Sequence, residues 1–162
     1  MTDEQSELLA ALYGVYPDST ILMNPDTAHM VVEGHRMMSR QTIPGVDIHS
    51  EESDEAVLLE ITVAEGVQVR NPIHACIGLM ALQGAQHIRL RVKLENGASA
   101  ELLAHCMFPN AEGVRHPMEA EFDIGEGAEL RHPEGHFHGP SGGTDVPARP
   151  TVRFHPGSPS VS

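Results

Sequence analysis

The softest donor atoms in this chain of 162 residues belong to two cysteines and eleven histidines, and several of them fall close together. His105 precedes Cys106, His136 and His138 flank Phe137, and His74 lies two residues before Cys76. Imidazole nitrogen and thiolate sulfur are soft donors, so metal binding is the first chemistry to weigh. His136 and His138 would share one face of a strand and reach a single ion. The plainer alternative for that pair is exposed histidine with a structural role. His74, His105 and His136 recur every 31 residues. A chain folded with that period would stack them in one column, where neutral imidazoles can pack or hold a cation. Cys76 and Cys106, 30 residues apart, would form a second short column.

Other chemistries find less support. No Cys-x-x-Cys pair exists for a zinc-finger site. Cysteine, histidines and acids are all present, but nothing in their order fixes a nucleophile, a base and an orienting group. Ser141-Gly-Gly-Thr is glycine-rich but has no following lysine or helix pattern, so it reads as a tight turn rather than a phosphate cradle. The His136-Phe-His138 segment also fits a cupin-like metal-dependent β-barrel enzyme, although Gly139-Pro-Ser-Gly-Gly-Thr stands where that site would place a carboxylate. For Cys106, the alternative to a ligand is a small buried core residue, because it shares parity with Leu102, Ala104 and Phe108 while His105 falls opposite with Glu101.

Length and charge bound the rest. One domain with a sizeable core is expected. The formal charge of −13 repels phosphate backbones and anionic lipid, which excludes nucleic acid and membrane surfaces as expected partners. No apolar run approaches the roughly 20 residues of a membrane span, and Met1-Thr-Asp-Glu-Gln lacks the order of a secretory signal. A cytoplasmic location with reduced thiols is therefore expected.

The elements that must position these side chains are short strands. Val57, Leu59, Ile61 and Val63 alternate with polar residues, and so do Ile88 to Leu94, Ala100 to Phe108 and Met118 to Ile124. Turns with glycine at 66, 97, 127 and 157 separate them, at intervals of 31, 30 and 30. A fixed period carrying β alternation predicts stacked coils, a mainly β right-handed parallel β-helix, in preference to a sandwich or jelly roll. Four segments follow: an N-terminal helical cap over 1–18, with Leu8, Leu9 and Leu12 at helical spacing; a mixed lead-in over 19–56; the β-helix core over 57–155; and a tail over 156–162. Thr151-Val-Arg-Phe is the one strand-like piece after residue 139. The last period does not complete, so an exposed strand edge, and with it a truncated product or an obligatory partner, is expected.

Four motifs together resemble the SufB/SufD family in a short single-domain form: Asn71-Pro-Ile-His-Ala-Cys-Ile-Gly, Ala104-His-Cys-Met-Phe-Pro-Asn-Ala, Glu126-Gly-Ala-Glu-Leu and His136-Phe-His-Gly-Pro-Ser-Gly-Gly. The likeness runs from about Asn24 to the tail. It implies a β-helix scaffold, without turnover of its own, for iron–sulfur cluster assembly. That scaffold would dock on a SufC-type ABC ATPase, pair with a second SufB/SufD-like subunit and receive sulfur from a donor system. It also implies that Cys106 matches the family's cysteine before a proline, here preceded by His105 and followed by Met107-Phe-Pro. Cys106 and His105 are then the residues expected at a cluster, and His74, His136 and His138 those expected at iron. The family's remaining cluster-holding residues and its ATPase-docking helices would lie beyond the residues present here.

Overall fold

The structure is a computed structural model and describes residues 23–108, 110–138, 144–145 and 148–154, with side-chain surroundings up to residue 133. It is mainly β. In chain order the strands are β1 (His29–Glu33), β2 (Arg36–Gln41), β3 (Val46–Glu52), β4 (Val57–Val63), β5 (Ile73–Gly78), β6 (Gln83–Ala85), β7 (Ile88–Leu94), β8 (Ser99–Phe108), β9 (Gly113–Arg115), β10 (Met118–Ile124), β11 (Glu129–Arg131), β12 (Glu134–His138), β13 (Thr144–Asp145) and β14 (Ala148–Phe154). The helical cap expected over 1–18 and the tail over 156–162 lie outside the described residues.

Three sheets share out the strands in rotation. One runs β11-β8-β5-β1-β2 with β12 also on β8, a second β14-β10-β7-β4-β3, and a third β13-β9-β6. Beyond the first two hairpins every ladder among the described residues is parallel, and each strand pairs with the one about thirty residues later. Antiparallel pairing is confined to β1–β2 and β3–β4. A jelly roll or cupin-like barrel needs antiparallel ladders throughout, so that alternative is overturned. From residue 23 on, the mixed lead-in resolves into a turn and three strands: Thr27 N–H donates to the Asn24 carbonyl at 3.1 Å, and the apolar run that follows becomes β1.

Parallel pairing in register puts like residues on like. Val57, Ile88 and Met118 align across β4, β7 and β10, as do Ile61, Val92 and Phe122, and Val63, Leu94 and Ile124, all buried in one core. The opposite parity faces solvent as a charge ladder, with Arg89 Nε 3.3 Å from Glu119 and Arg91 Nε 3.7 Å from Glu121. These exposed pairs add little stability; they set which charges can be neighbours. The first hairpins are tied down differently. Gln86, fully buried, donates from Nε2 to the Gly34 and Gly78 carbonyls at 2.7 Å each. Arg40 Nη1 donates to the Ile48 carbonyl at 3.2 Å, and Met37 N–H donates to Glu52 Oε1 at 2.8 Å, which joins β2 to β3.

The corners explain the glycine period. Gly66, Gly97 and Gly127 all have φ near +70°, the left-handed region that residues with a Cβ avoid. Gly66 N–H donates to the Asn96 carbonyl and Gly97 N–H to the Glu126 carbonyl, both at 2.9 Å, so each corner hangs on the next. At Gly125 the limit is space: a Cβ there would meet Asn96 N, Asn96 Oδ1 and the Glu95 carbonyl carbon at 2.8 Å. Gly97→Ala is therefore expected to cost about 1–2 kcal/mol through backbone conformation. Gly125→Ala should cost more, because a neighbouring backbone must move. Urea unfolding of both variants checks this; a Gly125→Ala midpoint equal to the parent's would show that the corner has room to spare.

Candidate functional site

Three adjacent strands of the first sheet, β1, β5 and β8, carry the residues with ligand chemistry. On the core side, Val32, Ile77 and Cys106 align, as do Met30, Ala75 and Ala104. On the other side His29 is the register partner of His74, Val31 of Cys76, and Cys76 of His105. β5 is buried along its whole length, since Cys76 is as inaccessible on the outer side as Ile77 is on the inner. His29 is 5% exposed and His74 7%, while His105 is half-buried.

The expected histidine column thus exists in part. His74 and His105 stack with ring centroids 5.9 Å apart and planes inclined by 23°. They are not direct register partners, because β8 is offset so that His74 faces Leu103; the rings meet on a diagonal. The third expected member is displaced by one position: His136 aligns with Cys106, and the residue in register with His105 is Gly135. In its place the column gains His29, whose Nε2 is hydrogen-bonded to Ser39 Oγ at 2.8 Å and whose buried Nδ1 has no hydrogen-bond partner among the described residues. Sequence spacing did not bring it out, because the hairpins between β1 and β5 break the thirty-residue period.

The cysteine column does not form. Cys76 and Cys106, expected to stack, lie one register step apart and so face opposite sides of the sheet. They form no disulfide. Cys106 is fully buried within the apolar core, and its chain neighbour His105 points the other way. The pair His105 and Cys106 is therefore not brought to one face, whereas Cys76 and His105 are. His138 takes the register position of Phe108 on β12. Among the described residues, no three His, Cys, Asp or Glu side chains converge as they stand on a point where an ion would sit.

Electrostatics make the column neutral. Burial holds the imidazoles of His29 and His105 below the ordinary histidine value of 6.5. At His74 burial acts first, His105 and His29 repel a proton further, and Glu101 pulls weakly the other way. A neutral imidazole keeps a lone pair for a metal or a hydrogen bond.

Comparison with known proteins adds to this geometry. No protein-family model matches the sequence, and no solved structure does. A protein of Methanocaldococcus jannaschii named an iron-sulfur cluster assembly SufBD family protein is 28% identical over 151 residues, 93% of this chain and 47% of that protein. One of the same name from Pyrococcus horikoshii is 26% identical over 136 residues, 84% of this chain and 42% of that protein. The chain spans a little under half the length of these relatives. No helix among the described residues is long and apolar enough to cross a membrane.

The depressed histidines make stability depend on pH in one direction. Between their folded values and 6.5 the unfolded chain binds more protons than the folded one. Stability is accordingly full above about pH 6.5 and falls as the solution is acidified through that window. Thermal melts from pH 8 to pH 5 should show a falling midpoint, with a shallower fall in His74→Gln than in the parent. Parallel profiles for the two proteins would mean that His74 takes no part in the titration.

Proposed function

Taking as premise the SufB/SufD assignment that these two relatives support, we propose that the chain is a scaffold component of iron–sulfur cluster assembly, with no catalytic turnover of its own. Its three rotating parallel sheets are read as successive faces of a right-handed parallel β-helix. The observation that carries the proposal is the coincidence of two independent facts. Relatives bearing the cluster-assembly name align over most of the chain, and parallel stacking brings soft donors together on the outer face of β1, β5 and β8.

In this reading the partners are a SufC-type ABC ATPase, a second SufB/SufD-like subunit and a sulfur donor, in the cytoplasm. Iron, or a nascent cluster, is the cargo. His74 and His105 are proposed to face it. His136 and His138 on β12, in register with Cys106 and Phe108 rather than with His105, are proposed to meet iron apart from that face. Cys106 is the thiol that the family pattern singles out, but its seat in the core gives it a packing role on physical grounds: a buried thiol with apolar neighbours is a small hydrophobe.

Anaerobic reconstitution of the full chain with ferrous iron and sulfide, alone and mixed with a SufC-type ATPase, tests the proposal. The expected result is retained iron, a broad visible charge-transfer absorption, and co-elution with the ATPase. Iron retention should fall in His105→Ala. A protein that retains no iron and elutes apart from the ATPase overturns the reading and leaves a structural domain without metal.

A further inference from the structure

We propose that the groove beside residues 67–70 is a docking site for an extended peptide segment of a partner protein, which adds there as a further strand beneath β8. The inference goes beyond the scaffold reading and does not depend on it.

The groove exists because the ladder stops at this corner. Residues 67–69 form a short rung under β8: Val69 N–H donates to the Ser99 carbonyl and Ser99 N–H to the Val67 carbonyl, both at 2.9 Å, with Gln68 as the bridge partner of Ser99. β11 continues the same ladder on the other edge of β8. Successive residues of a strand turn their main-chain groups to opposite edges, so with those of Val67 and Val69 engaged by β8, the N–H and C=O of Gln68 point away from it. Among the described residues no main-chain group pairs with them. The two antiparallel hairpins close the first and second sheets, but no strand of either pairs with residue 68.

The space facing that edge is lined for a chain. It is a groove of about 590 Å³ with Ile43, Pro44, Val67 and Val69 as its apolar wall. Ile43, Val67 and Val69 are half-buried and packed against the core, so they present apolar surface that the fold leaves partly uncovered. The turn carrying Ile43 is fixed in place. Val46 N–H donates to the Ile43 carbonyl at 3.0 Å, Ala64 N–H donates to the Gly45 carbonyl at 2.9 Å, and a Cβ on Gly45 would come within 2.7 Å of Val67 Cγ2. A preformed wall spares a ligand the entropy of ordering it. The Gln68 side chain is held by the next coil, donating from Nε2 to the Gly97 carbonyl at 2.9 Å and accepting at Oε1 from Ser99 Oγ at 2.6 Å. What Gln68 offers the groove is its main chain.

These features define the occupant. An open main-chain edge is matched by extended main chain, and the valines beside it are matched by aliphatic side chains at alternate positions of that chain. Arg70 and Asp26 both line the groove, and neither forms an ion pair among the described residues. Asn71 Nδ2 donates to the Asp26 carbonyl at 3.3 Å, which puts Asp26 at the Arg70 end. An acidic and a basic residue next to the aliphatic pair would complement these two charges and fix the register of the added strand.

The probe is the peptide Val-Thr-Val-Glu-Lys, acetylated and amidated, titrated to millimolar concentration into the full chain labelled with nitrogen-15. The amide signals of Gln68 and Arg70 should shift, and hydrogen exchange at Gln68 should slow. N-methylation of the peptide's threonine or of the valine after it, one but not the other, should abolish binding, because neighbouring amides of a strand face opposite edges. Gln68→Pro removes the N–H that faces the groove and leaves the Val67 and Val69 bonds to β8, so it should weaken binding about tenfold, as for one lost hydrogen bond, while Gln68→Ala binds as the parent does. No shift at millimolar peptide overturns the proposal, and so does loss of binding from both methylations or from neither. An amide of Gln68 already protected from exchange in the free chain also overturns it, since the groove would then be filled by the chain itself or by a second copy.

Discussion

The spacing of hydrogen-bonded parallel strands, about 4.7–4.9 Å, governs this molecule. Where strands about thirty residues apart in the chain pair in parallel at that distance, each side chain has its register partner as its nearest neighbour. Apolar residues gain from this without effort: Val63, Leu94 and Ile124 fill one column of the core. Charges tolerate it only if they alternate in sign, as the arginines of β7 do against the glutamates of β10. Corner residues meet it through backbone conformation: Gly66, Gly97 and Gly127 take φ near +70°, which residues with a Cβ avoid.

Imidazoles obey the same spacing in a different way. Burial strips hydration from His74 and His105 and favours their neutral forms, and at His74 the neighbouring His105 and His29 add repulsion. The constraint that organises the core thereby also sets the protonation state of the outer face. The packed core and the imidazole stack are two results of one register.

Much of this was legible in the sequence, and the misses have physical causes. β4, β7, β8 and β10 announce themselves because one face is wet and the other dry, so parity shows in residue type. β5 gave no such signal, since it is buried on both faces and reads as a continuous apolar run. The glycine interval matches the thirty-residue offset of the paired strands at Gly66, Gly97 and Gly127, where a left-handed corner admits little else, while Gly157 lies outside the described residues. It could not fix register within a sheet. The step from β5 to β8 is 29 residues and that from β8 to β12 is 30, whereas the histidines are spaced by 31. A mismatch of one residue moves a side chain to the other face, and that is how His136 came to align with Cys106 and the two cysteines came apart. A mismatch of two keeps the face, and so His74 and His105 still meet. His29 was invisible to any count by thirties because two antiparallel hairpins intervene.

Those hairpins also have a mechanical meaning. Parallel stacks can in principle lengthen at either end, since an unpaired strand is a template for any extended segment that drifts by. Here β2 and β3 reverse direction, and side chains reach across from each to occupy main-chain groups of the other, Arg40 on Ile48 and Glu52 on Met37. A visiting chain would have to displace both contacts before it could add. Among the described residues, these contacts make β2 and β3 poorer templates for an added strand than the parallel ladders are.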